Sequence, residues 1–163
     1  RYGSMTGELS LFFMGNALPA PTECAEALLS LNELTQSRGL VLSPEQARTL
    51  EQSRAAALEE TGRLEMGQGI LPELIRAFYD SPFLSPETYS ETLNALTALF
   101  YRGKTAAREA VSDEALLKFL RREFDGPCRG SLELLEDALE EWTAKLRGQI
   151  APHLGKEART DDL

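Results

Sequence analysis

The chain has 163 residues, 26 acidic against 17 basic, a formal net charge of −9, and a hydrophobic fraction of 42%. This length and composition fit one globular domain that buries a core without metals or disulfides, and regularly spaced leucines exclude wholesale disorder. The acidic balance repels phosphate backbones and anionic lipid surfaces, so neither a nucleic-acid nor a membrane role is expected, and no apolar run approaches the ~20 residues that span a bilayer.

Arg1 to Ser4 read as a cloning remnant ahead of Met5, residues 5–154 as a single helical domain, and residues 155–163 as a flexible tail. Leu9 to Met14 is short and apolar, followed by Gly15, Asn16, Pro19 and Pro21. An extended segment or one helical turn fits it equally, packed on the core or awaiting a partner.

A first helix is predicted from Thr22 to Arg38, capped by Thr22 and stopped at Gly39, with Ala27, Leu28, Leu31 and Leu34 on one face. The second has the strongest start signal in the chain: Ser43 as cap, Pro44 in the first turn, and Gln46 completing a capping box. It should end at Gly62. Its apolar face is thin, with Ala47, Leu50, Ala57 and Leu58 interrupted by Arg54, so a peripheral position is expected.

A short helix follows over Leu71 to Tyr79, with a stripe of Leu71, Leu74, Ile75 and Phe78, before Pro82 forces a turn. The fourth helix opens on Ser85-Pro86-Glu87 and carries Tyr89, Leu93, Leu96 and Phe100 toward the core, with Gly103 marking an end or a kink. Its start repeats that of the second helix 42 residues earlier, but no shared pattern follows, so convergent capping explains it better than a repeat. Ser112 and Asp113 open the fifth helix, which presents Leu116, Leu117, Leu120 and Phe124 and ends at Asp125-Gly126-Pro127. Ser131 caps the sixth, whose face is Leu132, Leu135, Leu139, Trp142 and Leu146. The fold expected is all-α, a single-domain bundle of about six helices, with the fourth and sixth at its centre and the second outside.

Few side chains are arranged for chemistry. The one histidine, His153, stands in the C-terminal fringe, without the Glu-x-x-His spacing of a di-iron bundle. Cys24 and Cys128 have no Cys-x-x-Cys neighbour and read as reduced thiols of a cytoplasmic protein; Cys24, in a helix first turn, is the better placed for reactivity. Gly62, Gly67 and Gly69 precede a helix, but no strand or Lys-Ser/Thr pair makes them a phosphate cradle. Glu133, Asp137 and Glu140 line one side of the sixth helix as a solvated face. No catalytic residue, metal or cofactor is expected.

Two surface features point instead to another protein as partner. Lys118, Arg121 and Arg122 share a face of the fifth helix and suit an acidic protein segment. Tyr79, Phe83 and Tyr101 stand beside the core stripes, where partly exposed aromatics serve as anchors, and Leu11, Phe12 and Phe13 in the N-terminal apolar segment join them. The alternative is a small-molecule regulator or enzyme with a pocket near Tyr89, Phe100 and Trp142.

The stretch Phe78-Tyr79-Asp80-Ser81-Pro82-Phe83-Leu84, and the later Phe124-Asp125 followed by Gly130-Ser131-Leu132-Glu133, resemble an uncharacterised domain family of Gram-positive anaerobic bacteria, over about Leu9 to Leu146. These motifs are helix ends and turns. The resemblance implies a bacterial, cytoplasmic, helical protein and carries no activity, cofactor or functional residue with it. The reading that results is a non-catalytic adaptor or regulatory domain of unsettled oligomeric state.

Overall fold

The computed structural model describes residues 23–67 and 69–150. Thr22, His153 and the apolar trio Leu11, Phe12 and Phe13 lie outside the described residues. The α-helices are α1 (Glu23–Ser30), α2 (Asn32–Thr35), α3 (Pro44–Thr61), α4 (Leu71–Phe78), α5 (Tyr89–Ala106), α6 (Asp113–Asp125) and α7 (Leu132–Ile150). Short 3-10 turns at Gln36–Arg38 and Pro86–Thr88 lead out of α2 and into α5. The described residues contain no strand, and α1 with α2, separated by Leu31 alone, count as one bent helix, giving the six of an all-α bundle.

Local chemistry sets the boundaries. The Ser43 hydroxyl accepts from Gln46 N while the Gln46 side chain accepts from Ser43 N, the reciprocal box expected from sequence. Ser112 and Ser131 cap α6 and α7 in the same sense, accepting from Ala115 N and Leu134 N. After α2 the chain is folded back by side chains. Asn32 donates to Leu42 O and accepts from Leu42 N, both at 2.9 Å, and Thr35 donates to Leu40 O at 2.6 Å. The bend at Leu31 turns Leu34 outward, 40% exposed, whereas the predicted face had placed it with Leu28 in the core.

Helix α5 is the axis. It packs against α3, α4, α6 and α7, and its buried residues cover a little over half of its circumference. The predicted stripes of α4, α5 and α6 are all buried, as are Leu135 and Leu139 of α7. Phe119 of α6 stacks on Trp142 of α7 at 4.1 Å between centroids.

Two expectations are corrected. Helix α3 is not peripheral, since it lies along α5 and α1 with Ala47, Leu50 and Arg54 buried. The charge that made its face look thin is paired inside the protein. Gly103 does not end the helix, because α5 continues to Ala106. A β-carbon there would meet Leu139 at 3.1 Å and Leu116 at 3.3 Å, so the missing side chain lets α6 and α7 approach α5 closely.

Gly103→Val forces branched carbons into that crossing. Thermal unfolding should show a loss of about 1–3 kcal/mol, whereas Gly148→Ala, with nothing near its β-carbon, should not destabilise.

Candidate functional site

The two stretches read as motifs from the sequence meet in one corner. Phe78, at the end of α4, sets its ring edge-on to Phe124 of α6 at 5.5 Å, and Phe83 meets the same ring at 6.5 Å. Ser81 donates to Asp125 Oδ1 at 2.7 Å and accepts from Phe83 N at 3.2 Å. Arg121 then ties the corner together. Its Nε donates to Asp125 Oδ2 at 2.6 Å, and its Nη1 donates to Ala77 O and Asp80 Oδ1, both at 2.7 Å. Gly130 takes a left-handed φ of +82° directly against Phe83, where a β-carbon would stand 2.8 Å from the Phe83 β-carbon. The polar groups of the corner answer one another, and it holds α4 and α6 side by side with their C-terminal ends together.

That alignment opens a cleft of about 440 Å³ between α4 and α6. Ala77 and Leu117 form its apolar floor. Glu73 and Glu114, in the first turns of the two helices, stand at one end; Lys118, Arg121 and Arg122 continue toward the other. Arg121 is spent on the corner. Lys118 and Arg122 project into solvent with side chains 75% and 69% exposed; their ion pairs with Glu114 (3.5 Å) and Glu123 (3.9 Å) are long, and the Arg122 guanidinium also lies over the Phe119 ring, 5.7 Å from its centroid. The expected basic face is thus a dipolar, apolar-floored groove carrying two loosely held cations.

A second polar arrangement sits between α3 and α5. Glu65, in the connection after α3, accepts from Tyr101 OH at 2.6 Å and from Arg54 Nε at 3.1 Å, and its carboxylate makes an ion contact with Arg54 Nη2 at 3.0 Å. Tyr101, expected at a partner surface, is fully buried because this hydrogen bond satisfies its hydroxyl and Phe100 packs edge-on to it at 5.3 Å. Burial, and then the bond to Glu65, push the Tyr101 phenol well above its ordinary range, so it stays protonated. A β-carbon at Gly69 would overlap both the Glu65 carboxylate and the Arg54 guanidinium. The flanking Leu64 and Met66 point outward, 99% and 92% exposed. Lys104 is buried likewise and clamps the start of α6, donating to Val111 O and pairing with Asp113, both at 2.8 Å.

Tyr79 is half-buried against the core, and Phe83 is 39% exposed. Tyr89 and Phe100, proposed to wall a ligand pocket, are core residues, and burial raises the Tyr89 phenol to about 12. Cys128 is buried, and burial together with Glu123 and Asp137 raises its thiol, so it is held protonated; Cys24 is partly exposed. Arg102 pairs with Glu136 of α7, and Arg108 lines a separate cleft with Arg63, so neither joins Lys118 and Arg122. Sequence reading missed Glu65, Asp80 and Asp125 as partners. Arg54 gave the signal: it falls on the Leu50–Leu58 stripe, and a cation there requires a carboxylate.

A model for a family of unknown function, DUF6323, matches residues 27–152. The chain belongs to this family. The match spans both motif stretches, so the corner and the cleft beside it lie within the family's domain. No curated protein and no solved structure matches the chain. Among the described residues no helix is long and apolar enough to cross a membrane.

Glu65→Gln leaves the Arg54 charge buried without its partner, and urea unfolding should register a loss of about 3–5 kcal/mol, partly recovered in the double variant with Arg54→Met. The hydrogen bond from Arg121 holds the Asp80 carboxyl below the usual carboxylate range. A depressed folded-state pKa contributes stability above the unfolded value and loses it as pH falls through the folded one. Asp80→Asn should therefore flatten the stability–pH curve below pH ~4, read by denaturant titration at each pH.

Proposed function

We propose that this domain is a non-catalytic protein-interaction module, and that the α4–α6 cleft takes an acidic protein segment bearing apolar side chains. The observation that carries the reading is the cleft itself: an apolar floor of Ala77 and Leu117 beside two exposed, loosely paired cations on a chain of net charge −9. An apolar centre with a charged rim is the anatomy of a docking groove, and rim charges of one sign steer partners of the other.

The inward-facing ionisable groups support the non-catalytic part. Arg54 with Glu65 and Tyr101, Lys104 with Asp113, and Arg121 with Asp80 and Asp125 are each spent on a helix–helix or helix–turn contact. None is left in a cleft as a general acid or base. The acidic charge and protonated Cys128 suit a bacterial cytoplasm, and the reading includes neither a nucleic-acid nor a membrane partner.

A photo-crosslinking residue substituted for Glu114, expressed in the native cell, should give a discrete protein adduct. The adduct should disappear when Lys118→Glu and Arg122→Glu are added, and should be missing when the crosslinker replaces Thr49 on α3. An adduct pattern indifferent to the two charge reversals, or no adduct at Glu114, removes the proposal.

A further inference from the structure

We infer that the segment docked in the α4–α6 cleft is the outer face of α7 from a second copy of this chain, an inference that rests on the docking reading above. The cleft is polarised along its length, with Glu73 and Glu114 at one end and Lys118 and Arg122 toward the other. From Glu114 to Arg122 is eight residues of helix, about 12 Å.

Helix α7 carries the matching order. Its inner side, Leu135 and Leu139, is buried in the molecule, while Leu134 on the outer side is 51% exposed. Asp137, Glu141 and Lys145 follow at spacings of four on one helical face, all exposed. They too span eight residues, about 12 Å. Laid antiparallel to α6, Asp137 faces Arg122, Glu141 faces Lys118 and Lys145 faces Glu114. Three opposite-sign pairs form in one register, and the parallel arrangement sets Lys145 against Arg122 instead. Leu134 and Ala138 flank these charges and supply apolar surface for the edge beside Ala77.

Cleft and α7 face are different surfaces of one molecule, so the contact is heterologous: a pair so joined keeps a free helix face on one copy and a free cleft on the other. Assembly therefore extends past a dimer unless a ring closes. Exposed ion pairs make it weak and sensitive to salt.

Sedimentation equilibrium of the full chain from about 10 μM to about 1 mM tests this range of affinity. The average mass should rise above the 18.0 kDa monomer with concentration, and rise less in about 0.5 M salt. Lys118→Glu with Arg122→Glu should keep the chain monomeric, as should Asp137→Lys with Glu141→Lys. The fourfold variant, with both charge sets exchanged, should associate again; all sites are exposed, and circular dichroism confirms folding. A monomeric wild type, association untouched by either double variant, or a fourfold variant without rescue overturns self-docking. A monomeric wild type that still gives Glu114 adducts lost on the charge reversals overturns self-docking alone. Loss of both overturns the docking reading with it.

Discussion

The enclosure of α5 is the constraint from which the rest follows. Its buried residues include Tyr89, Leu93, Leu96, Leu99, Phe100 and Tyr101, and they cover a little over half of its circumference, leaving Glu91, Ala98, Arg102 and Thr105 toward solvent. A helix apolar on one narrow stripe needs one partner, whereas one buried over half its circumference needs several. Helices α3, α4, α6 and α7 supply them. Gly103 sets how closely α6 and α7 come in, and the crossing at Leu116 and Leu139 fixes where their other sides face.

Enclosing α5 drags charge inward. Lys104 lies on its buried side and Arg54 on the facing side of α3, and each would be untenable in an apolar setting without a counter-charge. Both counter-charges come from neighbouring segments rather than from α5 itself: Glu65 from the connection after α3, Asp113 from the first turn of α6. The ion pairs therefore select which loop goes where. They specify the arrangement more than they strengthen it, and they leave the outer surfaces of α6 and α7 to carry charges such as Lys118 and Lys145, whose ion pairs stay within their own helix.

Much of this was readable in the residues. The serine caps, the leucine spacings of α4, α5 and α6, and the stop at Gly62 are local devices, governed by side chains within one or two turns, and they appear where the pattern puts them. What the pattern misjudged depends on distant partners. Arg54 looked like an interruption because Glu65 and Tyr101 are 11 and 36 residues from their contacts. Gly103 looked like an end or a kink because the need for space comes from two other helices. Of the site residues, Lys118 and Arg122 stand exposed as the helix spacing suggested, while Arg121, only one step around the helix, turns inward because Asp80 and Asp125 wait there. The cleft is a product of two helices held parallel by a corner, and no single stretch of sequence carries it.

The Ser81–Asp125 bond joins residues 44 apart, and everything that closes this corner lies between Leu71 and Ser131. Closing a loop of this size costs only slightly more entropy than closing one half as long, and the helices inside it shorten the effective chain further. During synthesis the residues that close the corner are all present once the ribosome has released Ser131, before α7 is complete. Helices α1 and α3 emerge first and pack on each other, but the main partner of α3 is α5, so that side of the core is completed only by a helix made later.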